Sequence, residues 1–267
     1  MKKFIIGIKY TIAGLIPLLG QYVITFIVVH IFWTVISIGL YAMEFMGTGN
    51  NTAMTLYNAL NSALLEITFV SDAIISLVII VVLLHIKENK FDFGLKKTKI
   101  LFIPFAAVAG IAMNVISSAA VTMIPFPESW RNAHSESVSI IADGNFVIAM
   151  ITAVIMAPLA EELIYRCAMF EFMKKAWGTA AAILITSVLF GLVHGNIIQL
   201  IYTSIAAVVF VYYRIRSGSV WAAFAAHVGF NFGNTAILLL RNIELWLQIL
   251  IGAAVLSLAI SGTEIFL

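Results

Sequence analysis

Charge and cysteine are both scarce in this 267-residue chain. Its one cysteine, Cys167, rules out an intramolecular disulfide and a paired-cysteine metal site. We read Cys167 as a small packing residue. Asp, Glu, Lys and Arg together make up 10% of the residues, against about 25% in a soluble domain. Hydrophobic residues make up 62%, and mean hydropathy is +1.07. A soluble core of this size could not hide so much apolar surface. Lipid must therefore be the solvent for most of the chain. No basic cluster with interleaved aromatics is present, so nucleic acid is not an expected partner. No internal repeat, low-complexity segment or soluble linker domain interrupts the pattern.

A membrane helix needs about 20 apolar residues. Eight windows qualify as candidate spans: 21–46, 64–85, 100–124, 146–173, 178–198, 199–213, 219–239 and 245–262. The expected fold is all-α, a polytopic transmembrane helix bundle of about eight spans. The N-terminal stretch resembles a signal peptide. Lys9 interrupts its apolar run, however, and no small-x-small cleavage site follows, so we expect a retained amphipathic segment leading into the first span. Lysine and arginine set the orientation. With both termini cytoplasmic, Lys2, Lys3, Lys9, Lys87, Lys90, Lys96, Lys97, Lys99, Lys174, Lys175, Arg214 and Arg216 all face the same side. Arg131 and Arg241 fall outside, and Arg166 lies within a span. The outer stretches 47–63 and 125–145 read as solvated loops, the second long enough to cover a cavity. The chain divides into N-terminal spans (1–145), a central group of spans (146–240) and a C-terminal span (241–267). An integral multi-pass protein of the cell membrane is expected, with the lipid bilayer as its first partner.

Charged side chains in hydrocarbon cost about 2.5–3.5 kcal/mol each on insertion scales, so they persist when paired or functional. The fourth span contains Glu161, Glu162 and Arg166. Glu162 and Arg166 stand at i and i+4 and can pair on one face. Glu161 is turned about 100° away, lacks that partner and is left for chemistry. The fifth span carries His194, with Gly191 and Gly195 allowing close backbone approach. The seventh carries His227 and Asn231, again at i and i+4. Each group alone is also consistent with helix-to-helix packing. Together they supply a base, water-orienting groups and oxyanion donors, the set that peptide hydrolysis needs. His30 and His85 have no carboxylate at helical spacing and read as structural. Glu44 and Asp72 are expected near the membrane interfaces.

Several chemistries have no motif here. There is no His-Glu-x-x-His for a helix-borne zinc site, no Gly-x-Gly-Asp of an intramembrane aspartyl protease and no Gly-x-Ser-Gly before a suitable histidine. A proton-coupled transporter would more naturally show half-helices in two related halves, and here the polar groups sit in one half.

Three short motifs occur in order on successive hydrophobic spans: Glu161-Glu162-x-x-x-Arg166, Phe190-x-x-x-His194 and His227-x-x-x-Asn231. Over residues 146–240 the chain resembles the CAAX prenyl protease and bacteriocin-processing (CPBP, Abi) family of intramembrane endopeptidases. The resemblance implies a membrane-associated peptide or protein as substrate. It implies Glu161 as the carboxylate that activates water, with His194 holding that water. It implies His227 and Asn231 as the pair that stabilises the oxyanion. Glu162 and Arg166 match supporting positions and Phe190 a packing position. The family is described both as metal-dependent and as using a glutamate-activated water. Glu161, His194 and His227 could form a Zn²⁺ site with an open fourth position, in which case Glu161 could not also be a free base. A non-enzymatic scaffold or bacteriocin-immunity protein that binds a partner is the alternative reading. The spacing also poses a depth problem. At 1.5 Å per residue, Glu161 and His194 lie roughly 20–25 Å from their cytoplasmic ends and His227 only about 12 Å from its own. The fourth and fifth spans must tilt or protrude for these groups to meet.

Overall fold

A computed structural model of the chain describes residues 2–45, 55, 58, 59, 62–86, 91–142 and 146–265. Among them there is no strand. The helices, in chain order, are α1 (Lys2–Phe45), α2 (Leu64–His85), α3 (Phe102–Met123), α4 (Glu128–Ala142), α5 (Phe146–Trp177), α6 (Thr179–Leu192), α7 (Ile197–Ser217), α8 (Val220–Leu240) and α9 (Leu245–Ile265). Six of them, α1, α2, α3, α5, α7 and α9, are long and apolar enough to cross a membrane. The chain is an integral multi-pass membrane protein. Helix α8 also has 21 residues. Helix α6 has 14, about 21 Å of rise, too short for a hydrocarbon core of about 30 Å.

Three expectations need correction. The N-terminal segment leads into the first span without a break, so the helix begins well before the expected residue 21. It continues through Pro17 as one 44-residue helix, about 66 Å long, with apolar side chains exposed along its length. The stretch 125–145, expected as a loop, folds as α4 over Glu128–Ala142. It has Pro127 just before it and Glu128 in its first turn, both favourable at a helix start, and no glycine or proline within. The fifth and sixth windows, expected to abut at Asn196-Ile197, do part there, but α6 ends earlier than the fifth window, and residues 193–196 form a turn. There Gly195 takes φ +77, a left-handed conformation that glycine adopts without penalty. Asn196 then caps α7, its side chain accepting from the Gln199 N–H at 2.8 Å. The lysines Lys87 and Lys90 and most of the stretch 47–63 lie outside the described residues.

Helix α5 forms the centre of the bundle. Residues Leu163–Phe170 are almost wholly buried, and α1, α2, α6, α7 and α8 all pack against it. Helix α3 lies on the other side, between α8 and α9. Helix α5 contains two wide, π-type stretches, Thr152–Met156 and Leu163–Met169, with Ala157–Glu162 as ordinary α-helix between them. Pro158 explains the first. Its ring would clash with a carbonyl one turn back, and it has no N–H to donate.

The depth problem is resolved at the end of the bundle that carries Trp177 and the α7–α8 turn. An irregular segment, 91–99, fits beneath the start of α8. Gly94 O accepts from Val220 N–H at 2.8 Å, Lys96 O from the Ser219 hydroxyl at 2.6 Å and Leu95 O from the Trp221 indole at 3.3 Å. Cys167 donates its thiol to Phe93 O at 2.8 Å, which agrees with a packing role. The start of α8 is thus held near the level of Cys167. The last turns of α5 run on past it and pack against the first half of α1, where the Trp177 indole donates to the Thr11 hydroxyl at 2.8 Å.

Asp92 fastens this segment. Partial burial opposes its charge, but Lys96, the Gly94 amide and Arg214 outweigh that and hold its carboxyl below the ordinary value of 3.8. A depressed carboxyl contributes stability above its ordinary value and loses it as pH falls through the lower folded value. The Asp92→Asn variant should therefore melt below wild type at pH 6. The gap in Tm should narrow as pH falls below 3.8.

Candidate active site

Glu161 and Glu162 sit at the end of the short α-helical stretch between the two wide turns of α5. Their side chains diverge, as adjacent helical positions must. The Glu162 side chain is 1% exposed and that of Glu161 is 21% exposed. Glu162 Oε1 lies 3.2 Å from Arg166 Nη1, the i, i+4 pair expected from spacing. The same oxygen accepts from His227 Nδ1–H at 2.9 Å. Glu162 therefore does two things: it balances a fully buried guanidinium and it orients an imidazole on another helix. With Nδ1 committed to the carboxylate, His227 presents Nε2 to Glu161, 3.5 Å from Oε2.

His194 is not within a helix. It occupies the turn that follows α6, so the short helix delivers it partway across the bundle. Its Nδ1–H donates to Phe190 O at 2.8 Å, since a carbonyl can only accept. Its Nε2 is left with a free lone pair. The Phe190 ring ties the motifs together. It lies edge-on to His194 at 5.1 Å and to His227 at 5.4 Å, and the Arg166 guanidinium stacks over it at 4.3 Å.

Asn231 lies one turn beyond His227 on α8 and donates Nδ2–H to Ala153 O at 2.7 Å. That carbonyl is free for a reason visible in the sequence. In the wide turn the Ala157 N–H reaches back to Thr152 O, five residues earlier. In the same register Ala153 O would look to residue 158, a proline with no N–H. Asn231 fills the gap and pins α8 to α5. An amide has a second N–H, which remains for other work.

Two features went unforeseen. The Phe210 ring stacks on His227 at 4.6 Å and helps fix its plane. One aromatic in an apolar helix carries no distinguishing pattern. Asp72, expected near an interface, is instead buried at 4% exposure on the face of α2 that packs against α5. His30 and His85 each donate to the carbonyl one turn back on their own helix, at 2.8 and 2.7 Å.

A carboxylate and two imidazole Nε2 lone pairs are suitable in kind for Zn²⁺. Among the described residues, however, no group of three or more His, Cys, Asp or Glu side chains is placed to hold one ion. The donors do not fit a three-ligand metal as they stand, and we derive no step through one.

Residues 143–233 match the family model described as Rce1-like, type II CAAX prenyl endopeptidase Rce1-like. This match agrees with the resemblance read from the three motifs. Glu161, Glu162, Arg166, Phe190, His194, His227 and Asn231 all fall within the match. No curated protein and no solved structure matches the chain.

Proposed function

We propose that the protein is an intramembrane endopeptidase that cuts a membrane-associated peptide or protein with a water activated by Glu161. The observation that carries this reading is the exposure of Glu161 beside His227 Nε2, while the adjacent Glu162 is neutralised by Arg166. Glu161 takes a proton from the water as its oxygen attacks the peptide carbonyl carbon. His194, through Nε2, accepts the water's other hydrogen and holds it in place. The tetrahedral intermediate carries its negative charge on the former carbonyl oxygen. Asn231 donates its second N–H to that oxyanion, with His227 once its Nε2 has gained the proton from Glu161. The same proton then passes to the leaving nitrogen as the C–N bond breaks. No metal takes part in these steps, so activity should survive a zinc chelator.

The orientation with both termini in the cytoplasm of a cell membrane, the short α6 entering the bilayer without crossing it and α7 returning to the same side, belongs to the same proposal. It rests on twelve of fifteen basic residues sharing one side. It would admit substrate from the cytoplasmic leaflet.

The test is a comparison of peptides, by mass spectrometry, in cells expressing wild type and Glu161→Ala. One or more peptides should appear only with wild type. Identical peptide profiles together with a preserved cellular phenotype would favour a scaffold or immunity protein. In a purified assay, Asn231→Ala should lower kcat about 10²–10³-fold, or about 2.7–4 kcal/mol in the barrier. It should also cost stability, because Ala153 O loses its donor.

A further inference from the structure

The mechanism above leaves the buried acid Asp72 without a role, and unlike the buried Glu171, which pairs with Lys174 and Arg214, it has no cation in ion-pair range among the described residues. Asp72 lies in the first half of α2 and is 4% exposed. Among the described residues its Oδ2 has no hydrogen-bond partner. Ser76, one turn further on the same face, is equally buried, and its hydroxyl is also unpartnered. This face packs against the Thr152–Met156 and Ala157–Glu162 stretches of α5. The Asp72 carboxyl is close enough to that of Glu161 for their charges to interact. On the adjoining wide turn, the buried hydroxyl of Thr152 is a third polar atom without a partner.

Buried polar atoms without partners are destabilising, and a bilayer supplies none. Asp72 Oδ2 is such an atom. Buried waters commonly bridge two to four such groups. Hydrolysis inside a membrane consumes one water for each bond cut, and that water must reach Glu161 through an apolar bundle. We propose that Asp72, with Ser76 and Thr152, forms a water-holding strip that supplies and orients the hydrolytic water at Glu161. Asp72 is then a positioning residue that acts through water. The proposal rests on the reading of Glu161 as the group that activates water.

The test uses the purified full chain in detergent with two probes. One is an internally quenched farnesylated peptide ending in a CAAX sequence. The other is a small cationic methanethiosulfonate. Asp72→Leu should lower kcat about tenfold to a hundredfold with KM changed less than about twofold. Its Tm should rise, because an apolar side chain replaces an unpaired carboxyl. Asp72→Asn, which still hydrogen-bonds water, should keep most of the turnover. A cysteine introduced by Ser76→Cys, with Cys167→Ala, should react with the thiosulfonate. Unchanged kcat in Asp72→Leu would overturn the proposal. So would a loss of turnover accompanied by a fall in Tm, or an unreactive thiol at position 76. If wild type does not cut the peptide, the protease reading fails for that substrate class. The thiol reaction still decides whether the strip holds water.

Discussion

Glu161→Gln should lower turnover about 10²–10⁴-fold, the usual contribution of a general base, while Tm changes little. Its neighbour should behave in the opposite way. Glu161 is partly exposed, and among the described residues no guanidinium lies in ion-pair range of it. His227 Nε2 stands 3.5 Å from its Oε2. Glutamine fits the same space but cannot take a proton. Glu162, by contrast, is among the described residues the one carboxylate paired with the fully buried Arg166. Glu162→Gln leaves that guanidinium uncompensated. Removing one partner of a buried pair costs about 3–5 kcal/mol. The amide oxygen of Gln can still accept from His227 Nδ1–H, so the fraction that folds should keep much of its turnover. The double variant Glu162→Gln with Arg166→Met should recover most of the lost stability, because the stranded charge is gone. Tm by scanning fluorescence and kcat on the quenched peptide separate the two roles. Appreciable turnover in a folded Glu161→Gln protein would remove Glu161 as the base.

The contrast between these two carboxylates could be read from spacing alone, because i, i+4 geometry depends only on the helix. Other features needed the fold. His227 and Asn231 share a helix face in the sequence, which suggests a common target. In the structure one bonds Glu162 and the other Ala153 O. The second partner exists because a proline and a wide turn strand a carbonyl, and no hydropathy profile registers that. The early end of α6 did have a signal. Gly195-Asn196 is a helix stop followed by a cap, and hydropathy averaging across it concealed the turn. Asp72 had none. One acid in an apolar run, with no partner at helical spacing, gives no indication of whether it faces headgroups or protein. Its burial depends on the packing of α2 against α5, which is a tertiary fact.

Two glycines set the position of α8, and filling either with a methyl group should disable the site. A Cβ on Gly110 of α3 would stand 1.8 Å from Ala226 O and 2.6 Å from Phe230 N, both backbone atoms of α8. A Cβ on Gly229 of α8 would stand 2.0 Å from Ala107 O of α3. The helices thus touch backbone to backbone on either side of His227. Small residues allow such close crossings in membranes, where packing drives association. Neither contact can be relieved by a side-chain rotation, so α8 must move by more than 1 Å to reach ordinary van der Waals distance. His227 and Asn231 move with it, away from Glu162 and Ala153. A displacement of that size costs about 10²-fold in rate. Overpacking also destabilises by about 1–3 kcal/mol. The sign is the informative part. Glycine to alanine within an unobstructed helix stabilises by about 0.5–1 kcal/mol. Gly39 on α1 has nothing within 4 Å of its Cβ position and provides that control. Gly39→Ala should keep full turnover with equal or higher Tm. Gly110→Ala and Gly229→Ala should lose both Tm and kcat, Gly110→Ala without any change to α8 itself. Normal turnover in Gly110→Ala would mean that the crossing of α3 and α8 does not position the site.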